Sequence, residues 1–177
     1  MVFLSEPAIT SITFFAGADL KKSQSWLGER LSLVCQANPW LAGRLVRDKK
    51  VHKNVLLALP QSIMKDDVSA LLCEDNTKKV LSSISIKTKY DVLCETLLKS
   101  DFVVGPGYKL IGKDLRVSKF GLVPVGDGVA LVVSLTHAIA DGKSIKSQRF
   151  LFSVFFHNTL VICGRHVVVK VTPTTRL

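Results

Sequence analysis

Val129-Ala130-Leu131-Val132-Val133-Ser134-Leu135-Thr136-His137-Ala138-Ile139-Ala140-Asp141-Gly142 decides how this chain folds. Its first seven residues are β-formers or small apolar groups with a single Ser, and Gly126-Asp127-Gly128 marks a turn just upstream. That length and composition suit a strand buried on both faces. The strand delivers Thr136 and His137 to a loop, and Lys143 to Arg149 then reads as the start of a helix. A His fixed at the end of a buried strand and followed four residues later by Asp141-Gly142 is a place for chemistry. The strand holds the imidazole, and a Gly lets the backbone turn sharply or approach a ligand closely.

Working outward, Leu115 to Val125 alternates and pairs with the Val129 strand as a hairpin across the glycine turn. Ile9 to Ala16, rich in β-branched and aromatic residues, predicts another strand. Asp19 predicts the N-cap of a helix through about Ala37, with Leu20, Trp26, Leu27, Leu31, Val34 and Cys35 on one apolar face. Pro39 stops that helix, and Trp40 to Arg47 predicts a strand paired with Val55 to Leu59 through the polar turn Asp48-Lys49-Lys50. Helical spacing recurs over Asp66 to Asp75 and Tyr90 to Lys99. Gly105-Pro106-Gly107 is a plain turn, because no helix start follows it as a phosphate loop needs. The order of elements predicts an α/β protein of the α+β two-layer type, a mixed sheet covered by helices.

The chain has 177 residues, 47% of them hydrophobic, which suffices for one domain with a real core. The first seven residues lack the basic start and apolar run of a signal peptide. Phe150 to Cys163 is too short and too often interrupted to span a bilayer. Cys35, Cys73, Cys94 and Cys163 form no C-x-x-C pair, so reduced thiols and a cytoplasmic location are expected. His52, His157 and His166 have no metal spacing, and no metal is expected. The formal net charge of +10 is unevenly spread: residues 142–177 hold six basic residues and no acid. No RNA- or DNA-binding motif accompanies the charge, so nucleic acid is not the expected partner. The charge imbalance thus marks an atypical C-terminal tail.

His137-Ala138-Ile139-Ala140-Asp141-Gly142 reads H-x-x-x-D-G, and Asn38-Pro39-Trp40-Leu41-Ala42-Gly43-Arg44-Leu45 lies about one hundred residues earlier, after the amphipathic helix. On these two segments the chain resembles the CoA-dependent acyltransferases similar to chloramphenicol acetyltransferase. That superfamily includes the plant BAHD enzymes, peptide-synthetase condensation domains and wax-ester synthases. The resemblance covers roughly residues 8–148. It implies one lobe of that fold, with His137 as the general base of direct acyl transfer from acyl-CoA or a carrier thioester to a hydroxyl or amine, without an acyl-enzyme and without a permanently bound cofactor. It further implies that Asp141 makes a structural ion pair with an Arg, for which Arg44 is the candidate, that Gly142 keeps the loop compact, and that Thr136 orients it.

Members of that family carry a second similar lobe and, in the BAHD branch, a D-F-G-W-G motif, neither of which follows here. Beyond Arg149 the resemblance ends, which divides the chain into an acyltransferase-like lobe, 1–149, and an atypical C-terminal tail, 150–177, whose composition fits a truncated gene model or an intron read through. Two function classes follow from the sequence. One is the catalytic half of an acyltransferase with small-molecule donor and acceptor. The other is a non-catalytic remnant or a subunit that depends on a partner, whether the missing lobe or another copy of the chain.

Overall fold

The computed structural model describes residues 4–50, 54–73, 84–85, 87–126 and 128–139, together with the backbone of residues 160–163 and 166–168. Strand β1 (Ile9–Ala16) leads through Gly17 into helix α1 (Leu20–Ala37). Asp19 caps that helix, its Oδ1 accepting the Lys22 N–H at 2.8 Å. A one-turn 3-10 helix (Pro39–Ala42) follows, then the antiparallel hairpin of β2 (Arg44–Arg47) and β3 (Val55–Ala58). Helices α2 (Lys65–Leu71), α3 (Tyr90–Leu98) and the single turn α4 (Gly107–Leu110) precede β4 (Ser118–Val125) and β5 (Gly128–Leu135). Two short strands, β6 (Leu160–Cys163) and β7 (His166–Val168), come from the C-terminal tail, 150–177.

The fold is α+β. The five-stranded sheet has the order β4-β5-β1-β6-β7, and β2-β3 form a separate pair. Every strand pairing named among the described residues is antiparallel, where the sequence predicted a mixed sheet. The reason is connectivity: β4 and β5 are a hairpin pairing Val125 with Gly128, and β1 meets β5 running the opposite way, Ile9 opposite Leu135. Both β5 neighbours are thereby antiparallel to it, and no crossover helix is needed between them.

Pleat alternation sends the two halves of β5 to two cores. Leu131, Val133 and Leu135 join Ile9 and Phe120 under α1 and α2, meeting Leu27, Leu31, Cys35, Val68 and Leu71. Ala130 and Val132 join Ile12 and Val123 on the other face, meeting Leu93 and Leu97 of α3 and Phe102. Every β5 residue after Gly128 is buried, as a strand packed on both faces requires. The one polar residue within it is satisfied: Ser134 Oγ lies 2.9 Å from Thr10 Oγ1 and accepts the Val104 N–H at 3.0 Å.

Phe102 fills its core by lying on the bare backbone of Gly121. A Cβ built there meets the ring at 1.8 and 2.2 Å. Gly121→Ala should therefore destabilise the protein by about 1–3 kcal/mol, the usual cost of overpacking a filled core. Urea unfolding measures this, and a variant within a few tenths of wild type contradicts the packing described.

Two predicted elements are shortened by contacts with distant parts of the chain, α2 at its end and the Trp40 to Arg47 strand at its start. Helix α2 stops at Leu71, short of the expected Asp75, because Leu72 and Cys73 are captured by the edge of β4. Leu72 bridges Phe120, and the Cys73 N–H donates to the Phe120 carbonyl at 2.7 Å. Trp40 to Ala42 is a 3-10 turn rather than a strand, because its carbonyls are held by another part of the chain. Downstream of Gly105-Pro106, the single turn α4 forms where only a turn was expected.

Candidate functional site

The Asn38–Leu45 segment and the start of β4 are joined by three successive bonds. The Leu41 carbonyl accepts the Ser118 hydroxyl at 2.7 Å, the Ala42 carbonyl accepts Arg116 Nη1 at 2.9 Å, and the Gly43 carbonyl accepts the Val117 N–H at 3.1 Å. Pro39 starts the tight turn that presents these carbonyls in sequence, and Leu41 and Ala42 are buried. Gly43 is required by close approach. A Cβ there would lie 2.6 Å from Leu57 Cδ1 and 2.9 Å from the Trp40 carbonyl oxygen, and backbone does not give way cheaply.

Val117 is the link to the histidine. Its carbonyl accepts the Thr136 N–H at 2.9 Å, one residue beyond β5. The Thr136 carbonyl then accepts the Ile139 N–H at 3.3 Å, closing a turn over His137 and Ala138. Ala138 and Ile139 pack against the small core of Leu45, Val104, Leu110 and Val117. His137 is thus held between a strand end and a turn whose next residues are anchored. The residue is half-buried, with its Nδ1 inside the protein. Thr136 is fully buried, and its hydroxyl has no hydrogen-bond partner among the described residues.

Arg44 sits on β2 and pairs with Asp114, with its side chain 40% exposed. Asp141 and Gly142 lie outside the described residues, so the expected Arg44–Asp141 pair does too. Three of the five residues the sequence singled out, Arg44, Thr136 and His137, are placed. Thr136 and His137 adjoin in the chain, and Arg44 follows the Gly43 that Val117 ties to Thr136.

Sequence reasoning missed the ion pair that fixes this arrangement. Arg116 Nη2 donates to Asp67 Oδ1 at 2.6 Å, with the two side chains only 11% and 15% exposed. The other carboxylate oxygen of Asp67 accepts the Met64 N–H at 3.1 Å and so caps α2. One carboxylate and one guanidinium therefore tie α2, the Ala42 carbonyl and the start of β4 together. Asp67 in the first turn of α2 is legible as a cap-type acid. Nothing local marks Arg116 as its partner, since 49 residues separate them.

The same carboxylate acts on Cys35, which is fully buried in the α1 core. Burial first, and the negative charge of Asp67 second, push its thiol up to about 11 from the usual 9.0. A buried thiolate is disfavoured, so the folded chain keeps a proton that the unfolded chain loses above pH 9. Cys35 thus contributes stability that is complete below pH 9 and is lost as pH rises towards about 11. The expected slope is at most about 1.4 kcal/mol per pH unit, and Cys35→Ala should remove it. Urea unfolding of the two proteins between pH 8 and pH 10 (where other groups titrate equally in both) is the check. Parallel curves contradict it.

Among the described residues, no group of three or more His, Cys, Asp or Glu side chains is placed to hold a metal ion. No helix among them is long and apolar enough to cross a membrane. A scan of the chain against family models gives no match, and a search among curated proteins gives none either.

Proposed function

We propose that this chain is the histidine-bearing lobe of an acyltransferase that moves an acyl group from a CoA or carrier thioester to a hydroxyl or amine. The observation that supports this reading is the meeting of its two motif segments. Leu41, Ala42 and Gly43 are bonded to Ser118, Arg116 and Val117, and Val117 is bonded to Thr136, the residue before His137. Segments about one hundred residues apart in sequence thus converge on the support of one imidazole.

In the proposed step His137 takes the proton from the acceptor O–H or N–H as that atom attacks the thioester carbonyl carbon. The new C–O or C–N bond forms, the C–S bond breaks, and the departing thiolate receives the proton from the imidazolium, leaving free CoA or carrier thiol. Imidazole suits both halves of this transfer because it accepts and returns a proton near neutral pH. A histidine whose backbone is anchored on both sides loses little freedom on reaching the reacting geometry. Thr136 positions the ring through its two backbone bonds. Asp141 and Gly142 complete the motif in sequence, and Arg44 is the candidate ion-pair partner by resemblance.

The test is release of free thiol from a panel of short- to long-chain acyl-CoAs by the full chain, with and without mixed alcohol and amine acceptors. Acceptor-dependent release supports the reading, and its absence with every pair contradicts a chain active by itself. A partner-dependent subunit is the second reading, favoured by large apolar side chains left in solvent such as Met64 and Leu98. A sizing column run beside the assay distinguishes the two. A silent monomer favours the second.

A further inference from the structure

We propose that the outer edge of β3 is a docking strand for an extended, acidic segment of another protein. Sheet edges present unpaired N–H and C=O groups, and proteins usually guard them with proline, charge or a covering segment. The β4 edge of the large sheet is guarded in all three ways. Pro124 lies within it, Lys119 lies on it, and the Cys73 N–H occupies the Phe120 carbonyl.

Among the described residues, the β3 edge has none of these guards. Val55–Ala58 pairs with β2 alone among the described residues, and the strand contains neither proline nor a charged residue. Leu57 faces the small core, but Leu56 is outward and 48% exposed, and Leu59, just past the strand, is 53% exposed. Leu56 stands opposite Val46, so the solvent face of the hairpin carries an apolar cross-strand pair. An added strand would find main-chain partners along β3 and an apolar contact at Leu56, the two ingredients of recognition by strand addition.

Charge selects the occupant. Exposed Lys49 and Lys50 stand at the turn end of the hairpin. The nearby acid Asp48 accepts the Lys50 N–H at 2.8 Å and offsets one of these cations, leaving an excess of positive charge, while Arg44 at the far end is offset by Asp114. The flank is therefore cationic, and an acidic segment is steered to it while a basic one is repelled. A second copy of this chain is the poorer occupant, because each copy carries a net charge of +10. This surface is independent of the acyl-transfer reading and is tested without any activity.

The probe is a fluorescein-labelled peptide, Glu-Val-Thr-Val-Glu-Thr-Glu, followed by fluorescence anisotropy with the full chain. Its controls are the same peptide with Lys in place of Glu, and the acidic peptide N-methylated at alternate residues so that it cannot donate along the edge. We expect saturable binding of the acidic peptide only, weakened about tenfold or more by Leu56→Glu and by Lys49→Glu with Lys50→Glu. All three substituted side chains are exposed. If Leu56→Glu does not fold, the charge-reversed variant and the N-methylated peptide still decide the matter. The proposal is overturned by no binding, by equal binding to the variants, or by equal binding of either control peptide. A dimer that Leu56→Glu converts to monomer also overturns it, by making a second copy the occupant.

Discussion

Arg116→Ala should cost the fold about 3–5 kcal/mol, the loss expected when one partner of a buried, hydrogen-bonded ion pair is removed and the other charge is stranded. Three connections fail together. The Asp67 carboxylate loses its 2.6 Å partner, the Ala42 carbonyl loses its 2.9 Å donor, and the start of β4 loses its tie to α2. Asp67→Ala should be nearly as costly, since it strands the guanidinium and also uncaps α2. Because both substitutions break one interaction, the double variant should be much less destabilised than the two losses added together. Arg116→Lys should recover little, for a single ammonium cannot reproduce two divergent guanidinium bonds. Urea denaturation of the four variants measures all of this. Losses under about 1 kcal/mol, or simple additivity, would show the pair to be a surface contact with no structural consequence.

The parts of this fold that were legible in the sequence are those set by local chemistry. Strand β1 was bounded correctly at both ends because β-branched and aromatic residues give way to Gly17. Helix α1 was bounded because Asp19 caps it and Pro39 cannot continue it. The β4–β5 hairpin followed from its glycine turn. What failed to show was set by distant partners. The 3-10 turn at Pro39–Ala42 depends on residues 116–118, and the end of α2 depends on the β4 edge. Which strands neighbour one another, and in which direction, is not written in their periodicity. Antiparallel pairing of β1 with β5 and β6 therefore emerged only in three dimensions.

The candidate site divides along the same line. His137 was legible as a residue at a strand end, since its position follows from the apolar run before it. Its support was not legible, because Val117 shows no sign in sequence of bonding both Gly43 and Thr136. Arg44 was the candidate partner of Asp141 by resemblance alone, and among the described residues the carboxylate it meets is Asp114, from the loop before β4. Arg116 makes a buried pair with Asp67, and nothing in the alternating Leu115 to Val125 segment singles it out.

His137→Ala is expected to lower acceptor-dependent thiol release by about 100- to 10,000-fold, the range over which a positioned general base contributes. Its effect on stability should be small, within about 1 kcal/mol, because the ring is half-buried and the turn around it is held by backbone bonds of Thr136 and Ile139. The two readouts must therefore separate, unlike those of Arg116→Ala, where activity and stability fall together. Turnover of the folded His137→Ala chain relative to wild type, on whichever acyl-CoA and acceptor the wild type uses, tests the account most directly. A loss of about two orders of magnitude or more, with the urea midpoint unchanged, is the result expected. Retained turnover in a folded His137→Ala chain would contradict it.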